Sequence, residues 1–83
     1  MYKIIFSRKA SKFVSNLKLA YKNKIKDILK LLKENPFAYP YKKIKGENNI
    51  YRIRIGNYRV LYEVDKPGKR IIIIKIDKRE KVY

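Results

Sequence analysis

Tyr51 to Val64 reads YRIRIGNYRVLYEV, two alternating apolar and polar runs on either side of Gly56-Asn57. A glycine-first pair between such runs closes a tight hairpin, because Gly accepts the positive φ that the first central position of a type II′ turn demands. With Gly56 and Asn57 as the loop, Ile55 faces Tyr58, Arg54 faces Arg59, Ile53 faces Val60 and Arg52 faces Leu61. Side chains alternate faces along a strand, so Ile53, Ile55, Tyr58, Val60 and Tyr62 share one surface and Arg52, Arg54 and Arg59 the other. Like charges directly across a strand pair repel, so an anion is expected between Arg54 and Arg59.

At 83 residues the chain has room for one domain, residues 1–83, around one modest core. Lys and Arg number 23 against 7 Asp and Glu, a formal charge of +16. Such a molecule repels itself and seeks polyanions: RNA, DNA or an acidic protein. An anionic membrane would also attract it, but no run approaches the roughly 20 apolar residues of a spanning helix, and no signal-peptide pattern opens the chain. The expected setting is soluble and cytoplasmic, without a membrane partner. The sequence contains neither Cys nor His. It therefore lacks disulfides, the usual zinc ligands, the usual general base near neutral pH and every Ser-His or Cys-His nucleophile.

Tyr2 to Phe6 alternates as a short strand whose inner face is Tyr2, Ile4 and Phe6. Ser7 is an N-cap candidate, and Ala10, Phe13, Val14 and Leu17 form the apolar stripe of a first helix. Leu17 to Ala20 interrupts that stripe. A second begins with Tyr21, Ile25, Ile28, Leu29 and Leu32, and Asn35-Pro36 ends it, since Pro has no N–H and disfavours helical geometry in the residue before it. A loop with Pro36, Pro40 and three aromatics leads into a strand near Tyr41 to Lys45, and Gly46 to Asn49 reads as a turn. Beyond the hairpin, Asp65-Lys66-Pro67-Gly68-Lys69 is strong turn chemistry. Arg70 to Ile76 then carries four consecutive Ile and a fifth after Lys75. A β-branched run without alternation predicts a central strand covered on both faces. The fold class is α+β: strand, helix, helix, then three or four strands, in a largely antiparallel sheet with both helices on one face.

Little of this sequence can carry chemistry. Glu63, Asp65, Asp77 and Glu80 suit local charge balance on so basic a chain better than a metal site, and Gly46, Gly56 and Gly68 stand alone in turns rather than in a phosphate loop. No cofactor is implied. Lys22, Lys26, Lys30 and Lys33 repeat along one face of the second helix, as a solvated basic face or as the flank of an anion site. Arg52, Arg54 and Arg59, with next to no compensating carboxylate beside them, suit a phosphodiester, whose oxygens guanidinium forks bind bidentately while a tyrosine ring stacks on an unpaired base. Lys75 on the final strand points the same way.

The element order, Ile44-Lys45-Gly46 before the hairpin, the return strand Tyr58-Arg59-Val60-Leu61-Tyr62 and the ending Lys78-Arg79-Glu80-Lys81-Val82-Tyr83 strongly resemble the RelE/ParE toxin superfamily over nearly the whole chain. Within it the sequence looks more like the RelE branch, whose toxins enter the ribosomal A site and cut mRNA, than the gyrase-poisoning ParE branch. By that resemblance the catalytic residues fall on Arg52, Arg54, Arg59, Arg79 and Tyr83. The implied reaction is attack of an RNA 2′-hydroxyl on the adjacent phosphate, without metal. Arg59 would stabilise the phosphorane, Arg79 would sit near the leaving oxygen, and Tyr83 would stack on or orient a base. The sequence departs from the best-known RelE pattern where Arg52 and Arg54 replace lysines and Lys78 stands where related toxins often carry histidine, which leaves the proton acceptor open. The resemblance also implies a cognate RelB-like antitoxin, the ribosome and mRNA as partners. A ParE-like gyrase inhibitor, or a non-catalytic RNA- or ribosome-binding protein of the same fold, is the alternative.

Overall fold

Gly56 takes φ +59° and closes the hairpin, and the pairing on either side runs in the register read from the sequence: Ile55 with Tyr58, Arg54 with Arg59, Ile53 with Val60, Arg52 with Leu61. The computed structural model describes residues 1–78. Its elements are β1 (Lys3–Phe6), α1 (Arg8–Ser15), α2 (Leu19–Glu34), β2 (Tyr41–Lys43), β3 (Ile50–Ile55), β4 (Tyr58–Asp65) and β5 (Arg70–Lys78). The strands form one sheet in the order β1-β5-β4-β3-β2, with β1 parallel to β5 and the other neighbours antiparallel. Both helices lie on one face. Ala10 of α1 and Ile25, Leu29 and Leu32 of α2 pack there against Ile53, Ile55, Val60, Tyr62, Val64, Ile71, Ile73 and Ile76.

β4 alternates without a fault, every second residue buried from Tyr58 to Val64. β5 does not, and its irregularity shapes the outer face. Leu61 pairs with Lys75, but Tyr62 pairs with Ile73, so Ile74 is one residue too many for the ladder. Strict alternation from Ile71 and Ile73 would drive Lys75 and Asp77 into the core. The bulge at Ile74 shifts the phase, so that Ile76 is buried and Lys75 and Asp77 turn outward. The run of isoleucines does mark an interior strand, but the covering on both faces expected of it is not found. Ile71, Ile73 and Ile76 are buried while Ile72 and Ile74 are only half-covered. The inner face expected of β1 is likewise incomplete, since Phe6 remains 38% exposed.

Ser7 holds the bulge in place. Its Oγ accepts from the Ala10 amide at 3.0 Å as the N-cap of α1 and donates to the Ile74 carbonyl at 2.7 Å, while its own amide donates to the Ile73 carbonyl at 2.9 Å. One hydroxyl thus satisfies both a helix start and an irregular strand.

The Tyr62 ring is fully buried against Tyr51, which in turn packs on Phe37 and Tyr41, and its hydroxyl donates to the Pro36 carbonyl at 2.9 Å. This bond ties the loop after α2 to the centre of the sheet. Burial, reinforced by Tyr41 and Tyr51, pushes the Tyr62 hydroxyl up to about 12. At the β4–β5 turn, Asp65 accepts from the Gly68 amide and from Arg70. The Arg70 guanidinium, with the Gly68 amide, holds the Asp65 carboxyl below the usual carboxylate range.

Ser7→Ala is expected to lower stability by about 1–2 kcal/mol, a cap and a carbonyl partner lost together, measured by urea unfolding. Tyr62→Phe leaves the Pro36 carbonyl unpaired and should cost about 1 kcal/mol. In the wild type the raised Tyr62 value favours the protonated phenol in the folded state. That contribution is therefore whole below pH 10, the ordinary value, and fades as pH climbs towards about 12. Alkaline unfolding curves of wild type and Tyr62→Phe should converge over that interval.

Candidate nucleic-acid interface

The sheet face away from the helices carries the cations. Arg52 and Arg54 of β3 and Arg59 of β4 lie on it, as the pairing requires, with Ile53, Ile55, Tyr58 and Val60 buried on the opposite side. Lys42 of β2 pairs with Arg52, and Lys75 of β5 pairs with Leu61, so the positive strip crosses four neighbouring strands. Arg54 is exposed, while Arg52 and Arg59 are partly covered by their neighbours.

Two shallow depressions flank Arg52. One is lined by Arg52, Arg59, Leu61, Lys75 and Asp77, the other by Pro40, Tyr41, Lys42, Arg52, Ile53 and Arg54. The first holds a carboxylate that corrects the reading of the arginines as lacking one. Asp77 sits directly across the β4–β5 ladder from Arg59. It accepts from Arg59 Nε at 3.2 Å and from Nη2 at 3.3 Å, and Lys75 Nζ lies 3.6 Å from Asp77 Oδ2. The repulsion between Arg54 and Arg59 is thus eased by a side chain of the protein, which β5 presents only because of its bulge. Both partners stay about one-third exposed, so the pair adds no more than about 1 kcal/mol to stability.

The second depression contains an aromatic group that the sequence reading passed over. Tyr41, 45% exposed, borders this depression at the sheet edge, but it pairs with Ile53 and so belongs to the helical face, where its ring touches Phe37 and Tyr51, and not to the face of Arg52 and Arg54. Its signal was the Tyr41↔Ile53 register between β2 and β3, which the strand signals alone did not supply. The remaining hairpin tyrosines are committed elsewhere: Tyr58 packs against Phe13 and Tyr21, and Tyr51 and Tyr62 join the Phe37 cluster. Arg79 and Tyr83 lie outside the described residues.

The lysines of α2 belong to a different surface. Lys22, Lys26, Lys30 and Lys33 rim an open groove between α2 and β1 whose apolar walls include Ile4, Phe6, Val14, Leu19 and Leu29. Leu19 is 70% exposed there. The groove lies on the helical side of the sheet, across from the arginines. No helix among the described residues is long and apolar enough to cross a membrane.

The cationic face can hold a chain of phosphates along the sheet, with a fixed guanidinium near the middle. Comparison with known proteins identifies the family. A family model described as the ParE toxin of type II toxin–antitoxin systems, parDE, matches residues 4–83. The toxin named RelE1 of Methanocaldococcus jannaschii is 42% identical over 72 residues, which is 83% of this chain and 74% of that protein. The archaeal RelE–RelB complex from Pyrococcus horikoshii superposes with a TM-score of 0.86 at 26% identity, covering 98% of each chain. The isolated E. coli RelE toxin superposes with a TM-score of 0.88 over 99% of this chain and 88% of that one; at 24% identity it attests the fold.

Replacing Arg52 and Arg54 together by Gln should weaken binding of a short single-stranded RNA. The slope of log K against log salt should fall by about 1.4, two phosphate contacts at roughly 0.7 each, as read by fluorescence anisotropy at several ionic strengths.

Proposed function

This chain belongs to the RelE/ParE family of toxins from type II toxin–antitoxin systems, and on that premise we propose that it is a ribosome-dependent endoribonuclease that cuts mRNA in the ribosomal A site. The observation that carries the reading is the fixed guanidinium of Arg59, on the same face as Arg52 and Arg54. In the proposed reaction the RNA 2′-oxygen attacks the adjacent phosphorus and loses its proton. The bond from phosphorus to the 5′-oxygen breaks, and that oxygen is protonated, leaving a 2′,3′-cyclic phosphate and a free 5′-hydroxyl. No metal takes part.

Arg59 stabilises the charge that gathers on the phosphorane, a task suited to a donor whose orientation is set before the substrate arrives. Arg52 and Arg54 hold the flanking phosphates. Much of the rate comes from keeping the 2′-hydroxyl in line, an effect worth up to about 7–11 kcal/mol in ideal geometry. Arg79 near the leaving oxygen and Tyr83 against a base are roles carried over from the family resemblance.

A RelB-like antitoxin is the cognate partner of a toxin of this family, and the P. horikoshii relative was solved as such a complex. The apolar groove between α2 and β1, ringed by lysines, suits an amphipathic segment with acidic flanks. A second reading, inhibition of DNA gyrase, is what resemblance to the ParE branch would imply, and the matching family model is that of a ParE toxin.

Cell-free translation separates these readings. Codon-phased cuts in translated mRNA support the nuclease. Inhibited supercoiling with intact mRNA supports the gyrase inhibitor, and binding without either effect supports a non-catalytic ribosome-binding protein. Arg59→Ala is expected to lower cleavage by about 10²–10³-fold with thermal unfolding nearly unchanged.

A further inference from the structure

We propose that Asp77 is a positioning residue for the cleavage site, acting through Arg59. Its role rests on the nuclease reading above but goes beyond the cationic residues named there. An arginine side chain has five N–H donors arranged in a plane. Asp77 engages the side-on edge, Nε at 3.2 Å and Nη2 at 3.3 Å. Nη1 and the outer hydrogen of Nη2 remain uncommitted to Asp77, so the guanidinium keeps an end-on edge for a phosphate in the depression it shares with Arg52. An arginine held by one edge has lost most of its rotamer freedom before binding, and that loss need not recur when the substrate arrives.

The charged groups facing Asp77 among the described residues are Arg59 from β4, Lys75 from its own strand and Arg52 across the depression. Asp77 thereby subtracts one charge from the surface that attracts RNA. Simple attraction of a polyanion would be better served by a neutral residue here. A carboxylate that weakens ground-state attraction while fixing the donor trades affinity for orientation, the signature of a group serving the transition state. The fold goes to some length to place it. Without the bulge at Ile74, and the Ser7 hydroxyl that satisfies the Ile74 carbonyl, the phase of β5 would send Asp77 inward.

Asp77→Asn, nearly identical in shape, removes the charge and one of the two acceptors. Single-turnover cleavage of mRNA on programmed ribosomes at saturating toxin should fall about 10–100-fold. Binding of a short single-stranded RNA by the same variant should stay equal or tighten by a few fold, since one repelling charge is gone. The side-chain Nε–H resonance of Arg59 in 15N NMR, distinct and slowly exchanging in the wild type, should broaden or move to the position of a free arginine. Circular dichroism and thermal unfolding establish that the variant is folded, and Asp77→Ser serves in its place should it not be. Wild-type cleavage rate in a folded Asp77 variant overturns the proposal, as does parallel loss of RNA binding and cleavage. Should the wild type itself fail to cleave on ribosomes, the nuclease reading falls, and the proposal with it as far as cleavage is concerned. The NMR signal then decides the positioning separately, and an Arg59 Nε–H that already exchanges freely in the wild type overturns it.

Discussion

One surplus residue in β5 governs the outer face of this protein. A strand alternates its side chains with a period of two, so a single extra residue inverts everything beyond it. At Ile74 the inversion keeps Ile76 in the core and turns Lys75 and Asp77 outward, opposite Leu61 and Arg59. An irregular strand leaves backbone groups without ladder partners. Ser7, arriving from the neighbouring β1 at the start of α1, supplies one for the Ile74 carbonyl. The same hydroxyl caps the helix that covers this end of the sheet. Strand phase, helix start and outer-face chemistry therefore depend on one another.

A net charge of +16 on 83 residues sets the other constraint. Part of that charge is gathered on two surfaces on opposite sides of the sheet. The arginines gather on a nearly flat outer face, where a phosphate chain can run across the strands. The lysines of α2 surround an apolar groove, where charge alone would not bind but could select an acidic amphipathic partner. Two physically different surfaces allow two kinds of ligand to be tuned independently.

Arg59 differs from its neighbours in being held. Arg54 is exposed and Arg52 sits between two depressions, whereas the Arg59 guanidinium is gripped by Asp77 along one edge. Electrostatic stabilisation of a short-lived charge depends on donors that need no reorganisation. The partly exposed ion pair contributes little to folding, and its main structural effect is to fix the direction of the Arg59 guanidinium.

The sequence by itself determined the hairpin, its register and the shared face of Arg52, Arg54 and Arg59. A glycine-first turn and strict period-two alternation are local signals that later packing had no reason to overrule. The Ser7 cap, both helices and the stop at Asn35-Pro36 were legible for the same reason. Four consecutive isoleucines carry no phase, so the bulge in β5, and with it the outward turn of Asp77 onto Arg59, had no trace in the local pattern. Only the pairing of β5 with both β1 and β4 fixes where the extra residue falls. The place of Tyr41 on the helical side of the sheet edge, with Phe37 and Tyr51, likewise followed from the pairing of β2 with β3. Tertiary structure alone decided which carboxylate joins the cationic face and that the Tyr41 ring does not, because both belong to strands whose register is set by their neighbours.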